Sequence, residues 1–146
     1  MKRLLYSILS MLSMLAMACG ERPDGRVKGA SLYPELVLTD SVQVIYYDTL
    51  GEERNFTFFS STDTSIIAPV VKDASAMTID TTTCPKEGKI YCFVKGNIYT
   101  TIYFSTGKGG CSPHFRCIRD AQLYCFSMSE RSRELLTGKR SSAVRP

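Results

Sequence analysis

Alternating apolar and polar positions divide much of the chain beyond residue 40 into short strands. Residues 42–47 (VQVIYY) are rich in β-branched and aromatic side chains, and residues 54–59 alternate in the same way. The segment between them contains Gly51 and two glutamates, which is typical of a turn. The pattern therefore predicts a β-hairpin at the start of the domain.

The second half of the chain repeats this alternation more regularly. Strands are predicted over residues 89–94, 98–104, 114–119 and 122–128. Gly96 and Asn97 tolerate a positive φ and favour a tight turn after the first of these strands, whereas Asp120-Ala121 separates the last two. Two further hairpins are expected, with a glycine-rich loop at residues 105–110 between them.

Two segments have the spacing of short helices. Residues 64–73 place four apolar side chains at helical spacing after a run of Ser, Thr and Asp that can cap a helix. Pro69 falls near the first turn, where its missing N–H costs less, and a third strand is the alternative. A short strand is expected at residues 77–80. Residues 130–136 follow Ser127 and Ser129 as candidate caps, and Gly138 is expected to end this helix.

These elements predict an α+β fold. The expected sheet is antiparallel, with about six to seven strands and one or two short helices on one face. A small β-barrel is the alternative. The chain length suits a single domain, which we place at residues 32–138, with a frayed tail at residues 139–146.

The first nineteen residues differ from the rest. Lys2 and Arg3 precede an apolar run broken only by single serines, and Ala16-Met17-Ala18 stands directly before Cys19. This is the pattern of a secretory signal peptide, and it resembles the lipobox of bacterial lipoproteins. The resemblance implies cleavage after residue 18 and lipidation, including a palmitate-type acyl chain, of Cys19.

Other interpretations of this segment are weaker. An ordinary signal peptide cut after Ala18 would leave Cys19 as an exported free thiol. A membrane-spanning helix needs about 20 apolar residues, but charged residues follow the apolar run shortly after Cys19. Residues 19–31 are expected to tether the domain to the membrane. The predicted location is the bacterial cell envelope, with the outer membrane favoured over the inner.

Charge is unevenly distributed along the chain. The net charge is +4, and the part from residue 85 onward holds most of the lysines and arginines. A basic half can approach anionic lipid or polysaccharide, but a solvated surface with an uneven spread of charge is the favoured interpretation. Nucleic acid is not expected as a partner of an exported protein.

Five cysteines follow Cys19. Cys84 and Cys111 flank the hairpin predicted over residues 89–104, so its two ends bring them within reach of a disulfide. Cys92, Cys117 and Cys125 fall inside strands and are expected to be buried free thiols. A Cys117–Cys125 disulfide is the alternative only if the turn between their strands has three residues.

The arrangement Cys84, Gly88-Lys89-Ile90, Cys111 and Phe115 is similar to that in several small bacterial lipoproteins of unknown function. The resemblance implies a fold rather than an activity. No cofactor or metal is expected, since Cys111, His114 and Cys117 lack a recognisable Cys-x-x-Cys pair.

Most of the aromatic side chains on the predicted strands are expected to lie in the hydrophobic core. The alternative is an exposed patch that binds an envelope protein or glycan, formed by Tyr47, Tyr99, Tyr103 and Tyr124. The sequence thus favours a non-enzymatic, membrane-anchored binding or accessory domain. A hydrolase or thiol-redox enzyme built on His114, the only histidine, or on a strand thiol is the second hypothesis.

Overall fold

A computed structural model describes residues 25–146 of the chain. The predicted signal peptide and the lipidation site at Cys19 lie outside the described residues. The described chain forms one seven-stranded antiparallel sheet, with the strands in the order β2-β1-β4-β5-β6-β7-β3. The strands are β1 (Ser41–Tyr47), β2 (Phe56–Ser61), β3 (Thr78–Ile79), β4 (Gly88–Val94), β5 (Asn97–Ser105), β6 (His114–Arg119) and β7 (Gln122–Ser127). The sheet is open, so the α+β prediction is confirmed and the barrel alternative is wrong.

Three α-helices and two short 3₁₀ turns accompany the sheet. They are α1 (Gly29–Leu32), α2 (Thr64–Ala74) and α3 (Glu130–Lys139), with 3₁₀ turns at Leu36–Leu38 and Arg140–Ser142. The carboxylate of Asp63 caps α2 by accepting from the Ser65 N–H at 2.8 Å. Pro69 lies inside α2. The helix tolerates it because its apolar side packs on the sheet through buried Ile66, Ile67, Val70 and Ala74.

Both predicted turns form, but the positive φ values of the first fall on Lys95 and Gly96, and Asn97, which was expected to share them, begins β5. Lys95 and Gly96 have φ values of 52° and 77°, and Asp120 and Ala121 have 51° and 61°. Two consecutive positive φ values match the right-handed twist of the adjoining strands. The turn between β6 and β7 therefore has two residues. Gly138 does not end α3, which continues to Lys139, so that prediction is wrong.

The helices lie on one face of the sheet and build the core there. Directly paired residues of adjacent strands share a face, so the register defines this face through Val44, Ile90 and Ile102 and, further along, through Phe115 and Phe126. All five are at most 1% exposed and pack with side chains from α2 and α3. The other face has no helix among the described residues.

Residues at both ends of the domain are more ordered than predicted. Lys28, expected in the tether, forms a bridge with Met77, and Gly29 packs so closely that a Cβ there would meet the Ala74 carbonyl oxygen at 1.8 Å. In the tail, expected to fray, Val144 pairs with Phe58 of β2 and Arg140 donates to the Tyr47 carbonyl at 2.8 Å. At both ends, backbone groups outside residues 32–138 therefore find partners within the domain.

Candidate functional site

The Cys84–Cys111 disulfide predicted from the sequence is present. The two Cα atoms are 6.1 Å apart. The bond joins the segment that leads into β4 to the segment that follows β5, as the hairpin geometry requires. It thereby holds two loops, residues 80–87 and 106–113, at one end of the sheet.

A buried histidine lies close to these loops. His114, on β6, is 0% exposed. Its Nδ1 is 2.8 Å from the Ser112 carbonyl oxygen, and its Nε2 is 3.1 Å from Thr82 Oγ1. Because a carbonyl oxygen only accepts, Nδ1 carries the proton and the Thr82 hydroxyl donates to Nε2. Burial lowers the pKa of His114, and the charge of Arg116 lowers it further, so the ring is neutral at pH 7.

Glu87 is the buried acid of the same end of the sheet. It is 2% exposed and accepts four hydrogen bonds from the start of the glycine-rich loop. The donors are Ser105 Oγ at 3.3 Å, Thr106 N at 2.7 Å, Thr106 Oγ1 at 2.8 Å and Lys108 N at 3.2 Å. This carboxylate therefore shapes residues 105–108.

Arg116 lies two residues after His114 on β6, on the same face of the sheet, and it pairs with Tyr103 of β5 and Cys125 of β7. Its side chain is buried, with the residue 8% exposed, and Nη2 donates to the Cys84 carbonyl oxygen at 2.6 Å. Nε is enclosed and has no hydrogen-bond partner among residues 25–146. The disulfide segment thus rests on a buried guanidinium.

The Thr82–His114 pair has the hydroxyl-to-imidazole contact that a hydrolase uses to activate a nucleophile. His114 is wholly buried, however, and its second nitrogen bonds to a main-chain carbonyl rather than to a carboxylate. Glu87, which could have oriented the ring, is occupied by the glycine-rich loop. The arrangement explains how the loop is held without invoking catalysis.

The helix-free face continues from Arg116 into a set of half-buried aromatic rings. We call this set the aromatic face; it comprises Phe56, Phe58, Tyr91, Phe93 and Tyr103. Lys86 Nζ lies 4.1 Å from the centre of the Tyr103 ring, and Lys89 Nζ lies 5.4 Å from that of Tyr91. Cations at these distances are attracted to the ring faces.

Glu53 and Tyr47 border the aromatic face. Lys89 donates to Glu53 at 2.9 Å, and this hydrogen bond lowers the pKa of Glu53. Tyr47 is 1% exposed, and burial, followed by the nearby charge of Glu53, raises the pKa of its hydroxyl. The border therefore combines a fixed carboxylate with an uncharged phenol.

The four tyrosines proposed as an exposed patch do not form one. Tyr103 is on the aromatic face and Tyr47 is buried beside it, but Tyr99 and Tyr124 pack against the helix-side core. A register shift after Cys92 turns Tyr99 toward that side, where its hydroxyl accepts from the Glu35 N–H at 3.1 Å. Only part of the predicted patch, around Tyr103, is retained.

The three remaining cysteines on the strands are free and buried. Burial raises the pKa of Cys92 to about 12 and also raises that of Cys117, which makes both thiols poor nucleophiles at pH 7. Because the turn has two residues, Cys117 faces Tyr124 and Cys125 faces Arg116, so these two thiols lie on opposite faces. The Cys117–Cys125 alternative is wrong.

The three residues considered as a zinc set are also separated. Cys111 is in the disulfide, and His114 and Cys117 point to opposite faces of β6. No cluster of three or more His, Cys, Asp or Glu side chains able to hold a metal occurs within residues 25–146.

Glu87 and Arg116 were not recognised from the sequence. Arg116 stands at an alternating position of a strand with apolar neighbours, in the segment His114 to Arg119, and Glu87 stands directly before β4. From the sequence alone, such a charged residue is expected to face solvent, because the loops that cover it are not predicted. The disulfide was predictable, but the side chains that it covers were not.

The fold and the site define a small antiparallel α+β domain with helices on one sheet face and an aromatic surface on the other. Comparisons with protein-family models, with curated proteins and with solved structures find no match to this chain. Within residues 25–146, the helices are too short or too polar to span a membrane.

Proposed function

We propose that this protein is a lipid-anchored protein of the bacterial cell envelope that binds an envelope protein through its aromatic face and catalyses no reaction. The anchor is the lipid on Cys19. The globular domain is then the part that meets the partner.

Two features support an envelope location. The segment before Cys19 resembles a lipoprotein signal, and the Cys84–Cys111 disulfide is the kind of bond that persists in exported proteins. Anchoring is expected to be firm, because more than one acyl chain holds a protein to a membrane far better than a single chain does.

The observation that carries the binding proposal is the aromatic face itself. The α-helices cover the opposite side of the sheet, whereas Tyr91, Phe93 and Tyr103 remain half-buried beside Lys86 and Lys89. Tyrosine and phenylalanine are enriched in protein interfaces because their rings bury large areas with few rotatable bonds. The lysines add charge that selects the partner.

Site-specific crosslinking in native membranes tests this proposal. A photoreactive amino acid is placed at Tyr91, on the aromatic face, and in a matched variant at Val37, which is 73% exposed outside that face. We expect a discrete protein adduct from position 91 and none from position 37. Equal adducts from both positions, or none from 91, would contradict the proposal, and an adduct with the mass of a sugar would assign the face to a glycan.

A second candidate function is hydrolysis by Thr82 with His114 as base, which the 3.1 Å contact between Oγ1 and Nε2 favours. Thr82 is half-buried, so its hydroxyl would need to be reached past the disulfide segment. A hydroxyl-directed covalent probe, such as a fluorophosphonate, separates the two functions. Labelling that disappears in Thr82→Val would establish the hydrolase, and an unlabelled wild-type protein would remove it.

A further inference from the structure

We propose that Arg116 is the centre of an oxyanion-binding site, which takes a phosphate or carboxylate group on the part of the guanidinium that the protein leaves unpaired. An oxyanion at Arg116 does not require the aromatic face to bind a protein. The two proposals therefore fail separately.

The first argument is burial without enough hydrogen bonds. A guanidinium has five N–H donors. For Arg116, the one acceptor found among the described residues is the Cys84 carbonyl oxygen, which bonds to Nη2. Nε is enclosed with no partner. Buried donors are ordinarily satisfied, so the unpaired Nε shows that the protein does not satisfy this guanidinium, although a ligand would have to approach another of its nitrogens.

The second argument is charge. No Asp or Glu oxygen within residues 25–146 lies within 4.0 Å of the Arg116 side chain, although six other ion pairs meet that distance. Glu87, the buried acid nearby, directs its oxygens to Thr106 and Lys108. A cation on a residue that is only 8% exposed is costly without a counter-charge, and a bound anion would remove that cost.

The third argument is access. Arg116 remains 8% exposed, and Nη1, unlike Nε, is not among the enclosed, unpartnered atoms of the described residues. Tyr103, directly opposite on β5, is half-buried and carries Lys86 over its ring at 4.1 Å. A ligand that approaches Nη1 thus passes an aromatic ring and a second cation.

The chemistry of the ligand follows from the guanidinium. Its planar fork matches the paired oxygens of phosphate and carboxylate groups, and its charge rejects cations. Neutral sugars offer no compensating charge. A terminal phosphate on an envelope polymer and a free carboxylate on a peptide share this chemistry, and separate titrations distinguish them.

The test is a titration of the wild-type protein followed by the ¹H–¹⁵N signals of the arginine Nε–H groups. Inorganic phosphate and acetate are added in separate series against sodium chloride at equal ionic strength. We expect the Arg116 Nε signal, assigned by its absence in Arg116→Lys, to shift saturably with at least one of the two anions at millimolar concentration. Preference for phosphate or for acetate identifies the source.

Two outcomes would overturn the proposal. Unsaturable shifts spread over all arginines would mean adventitious ion binding only. An unperturbed Arg116 signal up to 50-fold excess over about 1 mM protein would leave the residue a purely structural support for Cys84. The assignment requires Arg116→Lys to fold, which is checked by unchanged signals from the other arginines, and both results are then read on wild-type protein. Lys72→Gln, which removes an exposed cation on α2, on the helix side of the sheet, and keeps Arg116, should leave the affinity within about twofold.

Discussion

Glu87 acts at the scale of a single residue by fixing the backbone of the loop that follows β5. All four groups that approach its carboxylate are donors. In Glu87→Gln, one acceptor oxygen becomes an NH₂ group that faces donors. We expect a loss of about 2–3 kcal/mol in the free energy of unfolding, measured by urea denaturation. Glu52→Gln, at an exposed position, should change it by less than about 0.5 kcal/mol.

His114 predicts a pH dependence. Its pKa in the folded protein lies below the value of about 6.5 expected when unfolded, so the unfolded chain binds the extra proton first as the pH falls. The stabilisation is complete above pH 6.5 and declines below it, by at most about 1.4 kcal/mol per pH unit. The stability difference between wild type and His114→Gln should therefore narrow from pH 7.5 to pH 5. A constant difference would show that the buried ring is not selectively neutral.

Residue types were predicted best where local chemistry decides their role. Cys84 and Cys111 were paired correctly because a hairpin brings its own ends together. Arg116 and Tyr99 were not placed, because one depends on a loop that covers it and the other on a register shift after Cys92. Neither feature leaves a periodic trace in the sequence.

At the scale of elements, the disulfide is the main cross-link between loops. Cys84 and Cys111 are 27 residues apart. In Cys84→Ala/Cys111→Ala, the unfolded chain regains the entropy that the closed loop removes, which is about 3.5 kcal/mol in the chain-entropy model. Urea denaturation should show this loss. An unchanged midpoint would mean that the loops are held by their hydrogen bonds alone.

Two glycines in helices provide a matched pair. Gly138 lies inside α3, and a Cβ added there would have nothing within 4 Å, whereas at Gly29 in α1 that atom would meet the Ala74 carbonyl oxygen at 1.8 Å. We expect Gly138→Ala to raise stability by about 0.5–1 kcal/mol. Gly29→Ala should lower it by about 3 kcal/mol. Thermal unfolding of both variants measures the contrast, and equal shifts would contradict the close packing of α1.

The elements were predicted where hydrophobic periodicity is strong. The bounds of β6 match the prediction, and α2 and β4 differ from it by one residue. The predicted end of α3 at Gly138 was wrong because a glycine typically ends a helix by adopting a positive φ, and Gly138 has none. Favourable packing of Leu136, which is 0% exposed, carries α3 past it.

At the scale of the whole molecule, the proposed lipid anchor on Cys19 gives the clearest prediction. Wild-type protein expressed in a bacterial host should enter the detergent phase of a Triton X-114 extraction, since each buried CH₂ of the acyl chains contributes about 0.8 kcal/mol. Cys19→Ala should retain its signal segment. A wild-type protein that is cut after residue 18 and partitions into water with an unmodified thiol would contradict lipidation.

The general architecture followed from the sequence because seven alternating segments and two short helical ones have few compact solutions. The order of the strands did not, since pairing β1 with β4 and β7 with β3 joins segments distant in the chain. The aromatic face could not be predicted from the sequence either, because alternation alone does not indicate which side of the sheet the helices cover.

The outermost strands of the sheet each have a chain segment beside them. Val144 exchanges two main-chain hydrogen bonds with Phe58 on β2, at 2.8 and 2.9 Å, and Lys28 bridges to Met77 next to β3. Unprotected strand edges recruit other chains and lead to aggregation. On the lipid surface that we propose for this protein, molecules would be confined to two dimensions and such encounters would be frequent. The segments at the two ends of the domain cover these edges and would keep neighbouring copies from joining sheet to sheet.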